Sequence, residues 1–201
     1  MRAERREIRE LLGQLTPDQW RQGSLCAGWT VRDVVAHLVA WDEALLYRTR
    51  REHVAALAKF AALYATSAAR MKVVNRRLQR RTRELAPRAL ARRFAADDGA
   101  DLKWLFDGTN PAAHLAEYVI HHQDIRRPLG LRHTVPTDRL VMALRGVAQL
   151  PGVRVSAWRR LGHTRVEVSD GAWARGRGPV RRMTGEAALL WLAGRPAAIP
   201  S

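Results

Sequence analysis

Residues 110–130 read NPAAHLAEYVIHHQDIRRPLG, and this stretch carries the start and the end signals of a long helix. Asn110 offers a side chain that can cap the helix. Pro111 suits the first helical position, where a backbone N–H would have no partner. Pro128 and Gly130 are typical of a helix end. The stretch therefore predicts one helix that carries three histidines, a glutamate and an aspartate.

The predicted helix divides its titratable side chains between two directions. At about 100° per residue, His121 lies roughly 40° and His114 roughly 60° from Glu117 around the axis. Asp124 lies at roughly −20°, so these four side chains share one face. His122 lies at roughly 140° and is expected to face a neighbouring element or solvent.

The segments before this helix are also predicted to be helical. Residues 2–15 place apolar side chains at helical spacing. Thr30 is a predicted N-cap with Asp33 three residues later. The helix that follows carries an apolar stripe of Val31, Val34, Val35, Leu38, Trp41, Leu45 and Leu46. Residues 52–85 keep a helical composition, with a break expected near Thr66 and Ser67.

Glu117 and His121 are four residues apart, and a carboxylate and an imidazole at this spacing can bind one divalent cation from adjacent turns. The candidate third ligand is His37, beside the apolar stripe, where an unpaired imidazole would be costly. Asp124 could orient a ligand imidazole. Zinc, nickel and ferrous iron all suit such ligands. A simple Glu–His surface pair is the alternative, and His114 rivals His121 as the ligand.

The last third of the chain changes character. Residues 136–150 predict one more helix, and the runs VRVSAW (153–158) and TRVEVSD (164–170) alternate in the manner of strands. Thr184 and Gly194 predict the start and the end of a closing helix. We therefore expect a mostly α fold, with a metal-binding helical bundle over residues 1–135 and a small α+β domain over residues 136–201.

Composition excludes several classes of protein. The length of 201 residues suits one domain, or one domain with a small appendage. No apolar run approaches the roughly 18–20 residues of a membrane span, and the first residues lack the apolar stretch of a signal peptide. A single cysteine, Cys26, rules out an internal disulfide and suits a reducing cytosol. We expect a cytoplasmic protein.

The net charge is +16, and the basic excess concentrates between Arg70 and Arg93. Such a surface attracts polyanions or steers small anionic substrates, although a solvated helix face explains it as well. Aromatic residues are not interleaved with the arginines, and no nucleic-acid motif accompanies them. Nucleic-acid binding is therefore not expected.

Two motifs carry a family resemblance. The segments SLCAGWTVRDVVAHL (24–38) and AEYVIHHQDIRRPLG (116–130) resemble motifs of the mycothiol-dependent maleylpyruvate isomerase family of actinobacteria, which belongs to the DinB-like superfamily of metal-binding bundles. The tail DGAWARGRGPVRRMTGEAALLWLAGR (170–195) resembles the small domain often attached to these bundles. The resemblance implies a DinB-like antiparallel four-helix bundle with His37, Glu117 and His121 as metal ligands.

The resemblance also implies a function. It implies a divalent metal, most simply zinc, and mycothiol as cofactors, for isomerisation or S-transfer on a small electrophilic substrate. Arg126 and Arg127 could bind substrate carboxylates, or serve only as favourable charges at the helix C-terminus. A non-catalytic metal-binding bundle, acting as a sensor or partner-binding module, is the alternative, and a homodimer is left open.

Other conspicuous side chains are expected to be structural. Cys26 lies in a loop with no histidine or basic residue fixed beside it by spacing, so no catalytic role is predicted. The tryptophans are expected in the two cores: Trp29 and Trp41 in the first, and Trp158, Trp173 and Trp191 in the second. The remaining histidines have no convergent partner in the sequence: His53, His133 and His163.

Overall fold

Helices make up most of the computed structural model, which describes residues 2–47, 68–96, 103–104 and 110–195 with positions 49, 51, 52, 54, 55 and 58. The first helices are α1 (Arg2–Gln14), α2 (Pro17–Arg21), α3 (Val31–Leu45), α4 (Ala68–Thr82), α5 (Pro87–Ala96) and α6 (Pro111–Arg126). A short pairing joins β1 (Leu46–Tyr47) to β2 (Lys103–Trp104). Within the described ranges, every helix is too short or too polar to cross a bilayer. His53 and the break expected at residues 66–67 lie outside them.

The capping signals read from the sequence are confirmed. The side chain of Asn110 accepts a hydrogen bond from the backbone N–H of Ala113 at 3.2 Å. Thr30 Oγ1 accepts from the N–H of Asp33 at 3.2 Å, and the Asp33 carboxylate accepts from the N–H of Thr30 at 3.0 Å. Gly130 has a φ of +67°, which glycine adopts at low cost. α3 and α6 therefore start where the sequence predicts.

The bundle core forms where α3 packs against α4, α5 and α6, and α1 packs against α5 and α6. Its buried apolar side chains are Ile8, Leu11, Leu12, Trp20, Val31, Val34, Val35, Ala36, Leu38, Val39, Leu90, Phe94, Tyr118 and Ile125. The part of the predicted α3 stripe from Val31 to Leu38 is therefore the face that lies in this core.

The C-terminal residues build a second core that also includes α6. They form α7 (Thr137–Gly146), a 3-10 turn (Val147–Gln149), α8 (Arg154–His163) and α9 (Gly185–Leu192), with a sheet in the order β4 (Ala174–Arg175), β3 (Arg165–Val168) and β5 (Val180–Met183). β3 pairs antiparallel with β4 and parallel with β5. Gly146 lets α7 approach α6, because an added Cβ would lie 2.1 Å from the backbone of Ala112. Leu115, Val119 and Ile120 of α6 belong to this second core.

The mostly α fold with a small α+β part is confirmed, but one strand prediction is wrong. The run TRVEV contains β3, as expected, whereas residues 153–158 lead into and form helix α8. Ala157 and Leu161, one helical turn apart, are the buried residues of α8. Val155 is 61% exposed, so its place in the apolar alternation does not reflect burial. The buried residues therefore follow helical spacing, although the sequence alternates as a strand would.

The expectation that Trp158, Trp173 and Trp191 all lie in the C-terminal core is wrong for one of them. Trp173 is buried in the second core, and Trp191 packs against it. Trp158 is 49% exposed and lies under the guanidinium of Arg175, 4.6 Å from the ring centroid. It is therefore a surface residue.

Candidate metal centre

α6 is buried along almost its whole length, and Glu117 is the exception. Every other residue from Ala113 to Ile125 is buried, whereas the Glu117 side chain is 26% exposed. Glu117 Oε1 lies 3.0 Å from Nε2 of His37 and 3.2 Å from Nε2 of His121. The candidate ligand atoms of the three residues all lie within 4.8 Å of one another. α3 and α6 thus bring two imidazoles and one carboxylate to a single point.

The three groups carry different charges. Burial lowers the pKa of His37, although Glu117 acts in the opposite direction. Burial also opposes charge on His121, but Glu117 and Asp124 outweigh it and raise the pKa of His121 well above its usual value. Burial would raise the pKa of Glu117, yet the two imidazoles stabilise the anion and hold that pKa well below its usual value. An anionic oxygen therefore lies between a neutral and a protonated imidazole.

Asp124 fixes the orientation of His121. Its Oδ2 lies 2.8 Å from Nδ1 of His121, and Arg195 contacts the same carboxylate at 2.8 and 3.1 Å. Burial opposes ionisation of Asp124, but the hydrogen bond to His121 and the charge of Arg195 hold its pKa at about 2. An ionised carboxylate only accepts, so Nδ1 carries the hydrogen and Nε2 faces Glu117. Carboxylates orient metal-ligating imidazoles in the same way.

Arg195 was not predicted from the sequence, because no spacing rule relates it to its partners. It lies 71 residues from Asp124 and 169 residues from Cys26 along the chain. Arg195 Nη2 lies 3.1 Å from the Cys26 sulfur, which lies 3.1 Å from Asp124 Oδ2. Cys26 therefore has charged neighbours that only the tertiary structure provides.

A cavity of about 240 Å³ adjoins these groups. Its walls come from the loop before α3, from α3, α4 and α6, from residues 149–153 and from Arg195. The rings of Trp29 and Trp41 lie edge-on to His37, with centroids 5.3 and 6.1 Å away. Trp29 packs against the bundle core as expected, whereas Trp41 is not among the described residues of that core. Both rings also line the cavity, which the sequence did not predict.

Three other candidates from the sequence take different positions. His114 lines the cavity but is not one of the three convergent groups. Arg126 and Arg127 are not among the residues that line the cavity. Arg126 Nε donates to Nε2 of His122 at 2.5 Å, and Arg127 pairs with Glu186 at 2.9 Å. The arginine that lines the cavity is Arg195, from the C-terminal part of the chain.

His122 belongs to a second cluster, with Glu4, Glu7 and His133. Glu4 lies 2.6 Å from Nδ1 of His122, and Glu7 lies 3.0 Å from Nε2 of His133. Arg139 pairs with both carboxylates at 2.8 Å. The expectation that His122 faces a neighbouring element is confirmed. The expectation that His133 has no partner is wrong, because its partner lies on α1, at the other end of the chain.

A buried network on the cavity wall also has no signal in the sequence. Asp42 accepts hydrogen bonds from Arg5 and Tyr118, and both Asp42 and Tyr118 line the cavity. Burial, followed by the negative charge of Asp42, raises the pKa of Tyr118 well above its usual value, so its hydroxyl keeps the hydrogen. The guanidinium of Arg5 also lies 4.1 Å from the ring centroid of Phe94. This network ties α1, α3, α5 and α6 together.

The chemistry of the convergent groups fits a divalent cation. Two imidazole nitrogens and a carboxylate oxygen are ligands that zinc, nickel and ferrous iron accept. His37 is 4% exposed, and its Nδ1 has no hydrogen-bond partner among the described residues. The other ring nitrogen, Nε2, is the one that faces Glu117, so a cation at this point would be bound through Nε2.

A family model described as the mycothiol maleylpyruvate isomerase N-terminal domain matches residues 1–126, which run from the start of the chain to the end of α6. The matched region therefore contains His37, Glu117 and His121. The search of curated proteins and the search of solved structures found no match.

Proposed function

The chain belongs to the mycothiol maleylpyruvate isomerase N-terminal domain family, and from that membership we propose that it is an enzyme dependent on a divalent metal and on mycothiol. The reaction is isomerisation of a small electrophilic substrate or sulfur transfer to it. The observation that carries this proposal is the convergence of His37, Glu117 and His121 beside a cavity. Three protein ligands leave a coordination position open to a small molecule.

His37, Glu117 and His121 would hold the ion, most simply zinc, through two nitrogens and one oxygen. A divalent ion in such a site lowers the pKa of a coordinated thiol or water and polarises a carbonyl group. Asp124 keeps Nε2 of His121 directed at Glu117, and Arg195 holds Asp124 in its ionised form. The arginine thereby connects the C-terminal part of the chain to a ligand in the bundle.

The cavity limits the substrate. Its volume of about 240 Å³ lies below the range of roughly 300–1,000 Å³ for drug-sized ligands, so a bulky substrate would not fit beside the thiol cofactor. Arg195 adds a positive charge to the wall, and such a charge favours the thiolate form of a nearby thiol. A thiol cofactor and a chain with a single cysteine both suit the reducing cytoplasm, where we place the protein.

Metal content and thiol binding test the proposal. Protein stripped with a chelator and reloaded with zinc is expected to hold stoichiometric zinc by elemental analysis. It is expected to bind mycothiol in calorimetry only when loaded. His121→Ala is expected to lose both properties. His114→Ala, a histidine on the same cavity wall, is the matched control and is expected to keep the metal.

The possible failures are distinguishable. If the wild type binds no metal, the proposal is wrong. Metal binding without mycothiol binding, and without thiol-dependent turnover of electrophiles, would favour the alternative of a non-catalytic metal-binding bundle that acts as a sensor or partner-binding module.

A further inference from the structure

Three neutral amide side chains line the cavity: Asn75 on α4, Asn110 at the start of α6 and Gln149 after α7. Asn110 Nδ2 donates to Gln149 Oε1 at 2.7 Å. Asn75 Oδ1 accepts from Nε1 of Trp41 at 3.2 Å. These bonds hold the amides in place and leave each with further hydrogen-bonding capacity, since an amide has two donor hydrogens and two acceptor lone pairs.

Helix geometry sets the separation between the amides and the proposed metal ligands. Asn110 precedes Glu117 by seven residues, which is about 10 Å along a helix at 1.5 Å per residue. On α3, Trp41 follows His37 by four residues, about 6 Å along the axis, and its indole is bonded to Asn75. The cavity therefore extends from the proposed ligands, along two helices, to an end lined by amides.

The described side chains at the amide end carry one formal charge, the carboxylate of Asp42, which already accepts hydrogen bonds from Arg5 and Tyr118. Arg195 is the one arginine or lysine among the described residues that line the cavity, and it pairs with Asp124. Amides donate and accept, as hydroxyl groups do, whereas a carboxylate or phosphate ligand only accepts. The Trp41 ring adds a flat apolar surface beside them. Together these groups fit a neutral ligand with several hydroxyls.

We propose that Asn75, Asn110 and Gln149 bind the polyhydroxylated sugar portion of the thiol cofactor, while its sulfur reaches His37, Glu117 and His121. This inference rests on the proposed function and names the residues that distinguish mycothiol from a simple thiol. A thiol with the same acylated cysteine but no sugar makes none of the contacts at the amide end.

Calorimetry with mycothiol and N-acetylcysteine on zinc-loaded protein tests the inference. The wild type is expected to bind mycothiol more tightly. Gln149→Ala and Asn110→Ser are each expected to weaken mycothiol binding about two- to tenfold, the range for one neutral hydrogen bond, and to leave N-acetylcysteine binding unchanged. Serine keeps an acceptor that caps α6. Gln14→Ala, at an exposed position on α1, is the matched control.

Each of the other outcomes contradicts either the inference about the amides or the proposed function. Equal weakening of both thiols by the variants indicates a structural effect and overturns the inference, as does unchanged mycothiol binding. A wild type that binds both thiols equally overturns the inference but leaves the proposed function standing. A wild type that binds zinc and neither thiol overturns the proposed function, and the inference with it.

Discussion

His121 and His122 are neighbours on α6, yet their side chains enter clusters with opposite properties. His121 meets Glu117, which borders the cavity and whose side chain is 26% exposed. His122 meets Glu4, which is fully buried and also pairs with Arg139. The first cluster borders the cavity, and we call it the open cluster. In the second, the guanidinium of Arg139 pairs with both carboxylates, and we call it the closed cluster.

The difference shows that residue type alone does not mark a metal site. Both clusters hold candidate ligand atoms within the same short distance of one another. In the second cluster a cation would have to displace the guanidinium of Arg139 from Glu4 and Glu7. In the first, the partners of Glu117 are imidazoles, which are metal ligands themselves. We therefore expect the cation in the first cluster and a structural role for the second.

The largest effect is expected on metal content, which should differ between variants of the two clusters. Glu117→Gln keeps the shape of the side chain but removes the anionic ligand, so bound zinc is expected to fall from stoichiometric to background in elemental analysis. Glu7→Gln, the same change in the second cluster, is expected to keep the zinc. Loss of zinc in Glu7→Gln together with retention in Glu117→Gln would reverse the assignment.

The next effect is on stability. Glu4→Gln leaves Arg139 and His122 without the buried carboxylate that pairs with both. Breaking a buried ion pair from one side typically costs about 3–5 kcal/mol, and we expect a loss in this range in urea unfolding of the metal-free protein. Glu10→Gln, at an exposed position on the same helix, is the control and is expected to change little. A loss in Glu4→Gln no larger than in the control would contradict a structural role.

Local geometry accounts for what the sequence could predict about the site. The angle between residues on a helix placed Glu117 and His121 on one face, and the apolar stripe of α3 placed His37 towards the interior. Arg195 and Arg139 could not be found in this way. Each reaches its carboxylate partners through tertiary packing, from 71 residues away for Asp124 and 135 for Glu4.

The fold shows the same limit. Caps and helix ends depend on a few adjacent residues, so the starts of α3 and α6 were predictable. The alternation in residues 153–158 is equally local. Which residues of α8 are buried depends on the elements that pack against it, and the two buried residues, Ala157 and Leu161, follow helical spacing. The domain boundary expected at residue 135 stays a prediction, and α6 contributes residues to both cores.

A smaller effect on metal affinity is expected from Asp124, which orients His121 in the first cluster. Asp124→Asn keeps an oxygen near Nδ1 of His121 but removes the charge that pairs with Arg195. Changing a residue that orients a metal ligand typically costs about 10- to 100-fold in metal affinity, and we expect a loss in this range in a chelator competition assay. Asp138→Asn, at an exposed position on α7, is the control. Unchanged affinity in Asp124→Asn would show that Asp124 does not orient the ligand.

The smallest effect is expected on how the free energy of unfolding depends on pH, through Glu7 of the second cluster. The hydrogen bond from Arg139 holds the pKa of Glu7 at about 2, against burial and with help from His133, whereas the ordinary value is 4.5. Because the folded pKa is the lower one, the stabilisation by Glu7 is complete above pH 4.5 and is lost as the pH falls towards 2. The difference in free energy of unfolding between wild type and Glu7→Gln, measured in urea on metal-free protein, is therefore expected to be constant near neutral pH and to shrink on acidification. A difference that stays constant down to the lowest pH would mean that the Arg139 pairing does not stabilise the ionised carboxylate, and the contrast between a closed and an open cluster would lose its electrostatic basis.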